Sequence, residues 1–163
     1  MITQLQLKEV LVYDPESGIF TWISTRNNFR KAGSIAGSVN KFGYIRITID
    51  EKRYMAHCLA WLYMTGEWPK RDLDHQNLDK ADNRWRNLRE ATRSQNIANT
   101  SLNSSNSSGV KGVCWHRRRK LWQAAITCDG RRIHLGYFDV LAEAGSAYEL
   151  ASKELFGEFA RSV

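Results

Sequence analysis

Leu73-Asp74-His75-Gln76-Asn77 is followed by Asp82-Asn83-Arg84, by Asn87-Leu88-Arg89-Glu90-Ala91-Thr92 and by Ser94-Gln95-Asn96. The reading of the chain turns on this ordered run. Adjacent Asp74 and His75 set a hard oxygen ligand beside an imidazole, and carboxamides recur downstream at Asn83, Asn87 and Asn96. Hydrolysis of a phosphodiester needs a cation on the phosphate oxygens, a base for water and groups that hold both in place. A carboxylate, an imidazole and the carboxamides are side chains of the matching kinds. Neighbours on a regular strand point to opposite faces. Asp74 and His75 therefore share one site only where the strand ends or bulges, and the sequence leaves that open.

Around this run the chain reads as α+β. Leu5 to Tyr13 is apolar at roughly helical spacing, and Asp14-Pro15-Glu16-Ser17-Gly18 is a turn. Ile19 to Ile23, Ile35 to Val39 and Tyr44 to Ile49 read as strands, the last with Ile45, Ile47 and Ile49 on one face. Ala56 to Met64 reads as a buried helix, stopped by Gly66-Glu67-Trp68-Pro69. Leu73 opens a short strand into Asp74-His75, and 76–86 is a polar loop. Thr92-Arg93-Ser94-Gln95 fits a capping box, which puts Asn96 in the first turn of a helix. Residues 100–108 are Ser, Asn and Thr with one Leu, and read as a flexible linker between a domain at 1–99 and a domain at 109–163. In the second domain, 110–115, 122–127 and 132–138 read as strands and 142–155 as a helix. Asp129-Gly130 marks a hairpin. The expected architecture there is a small three-stranded antiparallel sheet packed on one helix.

Composition narrows the partner. The 163 residues carry a formal net charge of +7, which favours a polyanion, nucleic acid first. Cys58, Cys114 and Cys128 are odd in number and form no C-x-x-C pair. They read as reduced structural thiols of a cytoplasmic protein rather than a disulfide framework or a zinc site. The N-terminal stretch Met1-Ile2-Thr3-Gln4 does not read as a secretory leader, and no apolar run here is long enough to read as a membrane span.

Asp74 to Asn96 resembles the HNH nucleases, a branch of the ββα-metal family. The phrases Leu73 to Asn77, Asp82-Asn83-Arg84, Asn87 to Thr92 and Gln95-Asn96 carry the likeness. Ala56-His57-Cys58-Leu59-Ala60-Trp61 and Gly66-Glu67-Trp68-Pro69 resemble the homing-type members of phages and bacteria. The resemblance implies a metal-dependent endonuclease acting on double-stranded DNA, working inside a bacterial host if phage-encoded. It implies His75 as general base, with Asn87 accepting from one imidazole nitrogen and aiming the other at water. It implies Asp74 and Asn96 as metal ligands. Asn96 stands where the family often has a histidine, and that oxygen pair favours one Mg²⁺ or Mn²⁺ per site over Zn²⁺. Asn83 is expected to shape the loop and His57 to be a packed or hydrogen-bonded histidine at a strand–helix junction. The competing reading is a DNA-binding regulator that no longer cuts.

Lys111-Gly112-Val113-Cys114-Trp115, Trp122 to Ile126 and His134-Leu135-Gly136-Tyr137-Phe138 resemble the APETALA2-type DNA-binding domain, and Ala142 to Ala151 fits its helix. That family lays its sheet in the major groove. The resemblance implies DNA contacts from Lys111, Trp115, His116, Arg117, Arg118, Lys120, Thr127, Arg132 and His134, with Trp122 in the core. Plant members carry more arginine on the first strand, where this chain has Cys114 and His116, so a target sequence does not transfer. Arg26, Arg30, Lys31, Lys41 and Arg46 can extend the footprint. No membrane and no obligate protein partner is expected, and a monomer or a dimer is compatible with the sequence.

Overall fold

The computed structural model describes residues 1–25 and 30–161, so Arg26 lies outside the described residues. Two compact units emerge, Met1–Glu90 and Ala91–Val163.

In the first unit, Thr3 opens helix α1 (Gln4–Val10) with a capping box to Gln6. The expected helix runs to Tyr13, but the chain turns extended at Leu11. From there the burial period is two, with Leu11 and Tyr13 inside and Val12 outside. The result is strand β1 (Leu11–Asp14), paired antiparallel with β2 (Ile19–Trp22) through the Pro15–Gly18 turn. Strands β3 (Ser38–Val39), β4 (Ile45–Ile49) and β5 (Lys52–Met55) form an antiparallel sheet in the order β3-β4-β5. Asp50 and Glu51, both at positive φ, make the β4–β5 turn. Helix α2 (Ala56–Thr65) follows β5 directly and buries Ala56, His57, Leu59, Ala60 and Leu62. Leu7, Leu11, Tyr13, Phe20, Trp22, Ile47, Ile49, Leu59 and Leu62 make the core. Strand β6 (Asp72–His75) pairs with β7 (Leu88–Ala91), the last element of this unit. A 3₁₀ turn at Trp85–Asn87 leads into β7.

In the second unit, Thr92 and Gln95 close the expected capping box on helix α3 (Arg93–Ala98). Strands β8 (Val113–His116), β9 (Leu121–Cys128) and β10 (Arg131–Phe138) form an antiparallel sheet with β9 central. Helix α4 (Leu141–Phe156) packs on it. Ala91 and Ala98 lie in the same core as Val113, Ala124, Ile126, Ala144, Tyr148 and Phe156. The division between the units therefore falls at Glu90/Ala91, ahead of the expected boundary in the Ser/Asn stretch. That stretch is itself tied into turns. Asn103 Oδ1 accepts from the Ser105 N–H, Asn106 Oδ1 from those of Ser108 and Gly109, and Ser108 Oγ donates to the Val113 carbonyl at 2.8 Å. Its short polar side chains substitute for a ladder, which is why its composition reads as a linker.

Candidate active site

The β6–β7 connection is laced with hydrogen bonds from its polar side chains, beside main-chain turns. Asn77 Oδ1 accepts from Asp79 N–H and Asp79 Oδ1 from Ala81 N–H. Asp82 receives the Arg84 guanidinium on both oxygens and the Asn77 carboxamide at 2.6 Å. Arg84 thereby holds the Asp82 carboxyl down to about 2. Asn87 closes the loop: its Oδ1 accepts from Asn77 N–H at 3.0 Å and its Nδ2 donates to the Asp82 carbonyl at 2.7 Å.

The loop's main chain is seated on β1 and the β1–β2 turn. Tyr13 Oη donates to the Asn83 carbonyl at 2.6 Å, and Trp85 N–H donates to the Pro15 carbonyl at 3.0 Å. Gly18 sits at φ +73, and a Cβ there would stand 2.4 Å from Arg84 N and 2.5 Å from Asn83 C. Only glycine meets both conditions. Asn83 is consequently 1 % exposed. Its Nδ2 donates to the Ala81 carbonyl at 3.1 Å, which turns Oδ1 toward His75 Nε2 at 3.3 Å.

This reverses the expected division of labour. The carboxamide on the imidazole is that of Asn83, while Asn87 spends both of its polar atoms on the loop. The Asn83 oxygen assigns the His75 proton to Nε2 and makes Nδ1 the basic nitrogen. Burial lowers the His75 pKa, against opposing contributions from the Asn83 hydrogen bond and the Asp74 charge. The lowered pKa favours the neutral imidazole, the form a general base requires.

Strand β6 ends at His75, and Asp74 and His75 have different partners. Asp74 is buried, and its Oδ2 accepts from Arg89 Nε at 3.0 Å and pairs with the second guanidinium nitrogen at 3.0 Å. His75 meets Asn83 and the rings of His57 and Tyr44, with centroids 5.0 and 5.9 Å away. His57 is also buried. Among the described residues its Nδ1 is the one buried side-chain nitrogen or oxygen without a hydrogen-bond partner. Burial first, then the charge of His75, push its pKa down to about 4. Asn96 belongs to the second unit, as the fourth residue of α3, half-buried, with its N–H on the Thr92 carbonyl. Sequence reasoning passes over Arg89 because β7 lacks the period-two pattern of a strand. It reads Tyr44 as the first residue of a strand, whereas the residue precedes β4 and its ring meets His57 and His75.

Among the described residues no group of three or more His, Cys, Asp or Glu side chains converges as a metal site. A cation would have to draw on carboxamide oxygen beside the Asp74 carboxylate. Carboxylate and carboxamide oxygens are hard donors of the kind a divalent ion such as Mg²⁺ takes.

In the second unit the register sorts the expected DNA contacts by face. Val113 pairs with Ala124 and Trp115 with Trp122, the face that carries the core. Trp115 therefore lies on the α4 side of the sheet, edge-on to Trp122 at 5.0 Å, and not with the other expected contacts. Lys111 is also engaged elsewhere. Its Nζ donates to the Ala98 and Thr100 carbonyls at 2.6 and 2.8 Å, closing the end of α3. Burial lowers its pKa. Thr127 pairs with Arg132 and Ala125 with His134 on the open face, which His116 shares. Arg117, Arg118 and Lys120 are exposed in the β8–β9 turn.

Residues 54–98 match a family profile described as HNH endonuclease. Protein 3.8 of Escherichia phage T7 is 31% identical over 106 residues, which cover 64% of this chain and 87% of that protein. The chain belongs to the HNH endonuclease family. The HNH segment contains His57, Asp74, His75, Asn83, Asn87 and Asn96, so the buried imidazole, Asn83 and His57 fall inside it, while Tyr44 precedes it. The fold also shows a likeness, at TM-score 0.44 and 21% identity over 77% of this chain and 71% of the other, to the HNH homing endonuclease I-HmuI, a protein that binds and cleaves DNA. No helix among the described residues is long and apolar enough to cross a membrane.

Proposed function

We propose that this HNH protein is a metal-dependent DNA endonuclease that hydrolyses a phosphodiester with His75 as general base and is anchored on duplex DNA by its second unit, as an APETALA2-like domain would be. The observation that supports the reading is the buried His75, hydrogen-bonded through Nε2 to Asn83, inside the HNH segment.

His75 Nδ1 takes a proton from water as the water oxygen bonds to phosphorus and the bond to the 3′ oxygen breaks. Asn83 keeps the proton on Nε2 through the step, and Asn87 keeps the loop that carries Asn83 closed. Asp74 and Asn96 would hold Mg²⁺ or Mn²⁺, with Arg89 fixing the carboxylate. That ion would neutralise the phosphate and the departing oxygen. The exposed Arg117, Arg118, Lys120 and Arg132 supply attraction to phosphates.

Nicking of supercoiled plasmid, titrated with Mg²⁺ and Mn²⁺, tests the proposal. His75→Ala should lower the rate by ~10²–10⁴-fold while binding persists. Asp74→Ala and Asn96→Ala should shift the half-saturating metal concentration. Plasmid bound tightly but left uncut by the wild type under every metal condition would instead mean a DNA-binding protein without the activity.

A further inference from the structure

On the open face of the β8–β10 sheet, Arg119 and Tyr137, neither among the expected contacts, cluster with His116 and His134, which are. The Arg119 guanidinium lies over the Tyr137 ring, 4.5 Å from its centroid. Arg119 N–H donates to His116 Nδ1 at 3.2 Å. Tyr137 in turn is flanked by His116 at 5.3 Å and His134 at 4.6 Å between centroids.

His134 and Tyr137 are three apart, so a regular strand would send them to opposite faces. The register slips between His134 and Gly136, leaving Leu135 as an extra residue, with Gly136 at φ +138. His134 then pairs with Ala125 and Tyr137 with Gln123, both on the open face.

We infer that Arg119, seated on Tyr137, is the base-reading side chain of this face and takes the major-groove edge of a guanine in double-stranded DNA. The inference rests on the reading that this face meets DNA. Its own ground is the contrast within Arg117-Arg118-Arg119-Lys120. Among the described residues no ring, carboxylate or hydrogen-bond acceptor orders the side chains of Arg117 or Arg118, and both are exposed. Side chains that swing freely suit phosphates, whose negative charge continues along the groove and sets no register. Arg119 is held at both ends, by its N–H on His116 and by its guanidinium on the ring. A guanidinium held over a ring keeps its in-plane N–H fork for other partners, and that fork matches the O6 and N7 acceptors of guanine. Pre-ordering the fork removes much of the rotamer entropy that a bidentate contact would otherwise cost. The surrounding strands and turns carry Arg117, Arg118, Lys120, Arg131 and Arg132 against Asp129, so a polyanion is the complementary partner.

The test is selection by the full-length protein, in chelator-containing buffer, from a library of duplexes with a randomised segment. Wild type, Arg119→Ala, Arg119→Lys, Tyr137→Phe and Tyr137→Leu are compared, with thermal melting of each as the fold control. Wild type should enrich a motif. Arg119→Ala and Arg119→Lys should lose preference for one G·C pair in it by roughly ten- to a hundredfold while the other positions stay. Tyr137→Phe keeps the ring and should keep the motif, and Tyr137→Leu should weaken the same G·C position. Wild-type enrichment that Arg119→Ala leaves unchanged at every position overturns the inference alone. So does an equal loss on all duplexes with a salt slope smaller by about one, which marks a phosphate contact. A wild type that enriches nothing overturns the DNA reading of this unit together with the inference.

Discussion

Asn83→Ala separates the two carboxamide assignments most sharply. Asn83 is 1 % exposed and His75 5 %. Removing the carboxamide strips the acceptor from a buried Nε2–H and the donor from the Ala81 carbonyl. A buried donor left without a partner costs about 1–3 kcal/mol, and the carbonyl adds a smaller amount where water cannot reach it. The expected loss of stability is therefore about 2–4 kcal/mol, within the range of a disrupted buried network. The catalytic cost follows separately. Without the Asn83 oxygen, the tautomer carrying its proton on Nδ1 becomes accessible, and only the other tautomer can accept a proton there. A fall in kcat of roughly ten- to a hundredfold with little change in KM is expected, a part of what a general base supplies. Asn83→Asp keeps an acceptor for Nε2–H but loses the bond to Ala81, and should fall between wild type and alanine. Asn87→Ala, by contrast, releases the Asn77 N–H and the Asp82 carbonyl, and should act first through loop stability. Urea unfolding and plasmid nicking, run on all three variants, make the comparison. A folded Asn83→Ala protein that cuts within about threefold of wild type would sink the assignment, since the base would then need no partner.

Three other substitutions address different parts of the molecule. His57 titrates near 6.5 when unfolded and near 4 when folded, so the unfolded chain binds more protons between those values and stability should fall with pH across that window. The difference amounts to about 3 kcal/mol, complete by the lower limit, with His75 adding in the same direction; urea titrations from neutral pH downward should show the slope, and His57→Leu should flatten it. Gly18→Ala drives a Cβ into Arg84 N and Asn83 C and should cost more than about 3 kcal/mol together with most of the nicking activity; a melting temperature equal to wild type would contradict the close approach. Lys111→Met keeps the stem but leaves the Ala98 and Thr100 carbonyls unpaired. It should destabilise by about 1–3 kcal/mol while the salt slope of DNA binding stays; a slope smaller by about one would return Lys111 to the DNA contacts.

Much of the architecture is legible where a local signal coincides with a tertiary one. The Thr92–Gln95 capping box, the α2 stop at Gly66, the Asp129-Gly130 hairpin and the α4 alanines all combine turn or cap chemistry with a burial stripe. Strand β5 escapes the pattern because its turn uses Asp50-Glu51 at positive φ without glycine, and three of its four residues are polar or exposed. Strand β7 escapes it because its buried residues are Leu88 and Ala91, three apart. The site is legible in its residue types and not in its pairings. Asn83 and Asn87 are the same side chain four positions apart, and only the path of the loop decides which of them meets the imidazole. Lys111 and Trp115 carry the right chemistry for DNA, but the α3 carbonyls and the strand register decide what each does. The bulge at Leu135 is invisible to a period count, and with it the pairing of Arg119 and Tyr137.

The close approach of Gly18 to Asn83 and Arg84 is main chain against main chain. Neither partner contributes a side chain that a second substitution could trim to make room. Drift elsewhere in the turn, at Glu16 or Ser17, both exposed, leaves the lock intact, whereas any residue added at position 18 has no compensating change within reach. The remaining way to restore the fit is a change in the length of the 14–18 turn or of the 76–87 loop. In a set of related sequences, length changes in these two segments should therefore occur together.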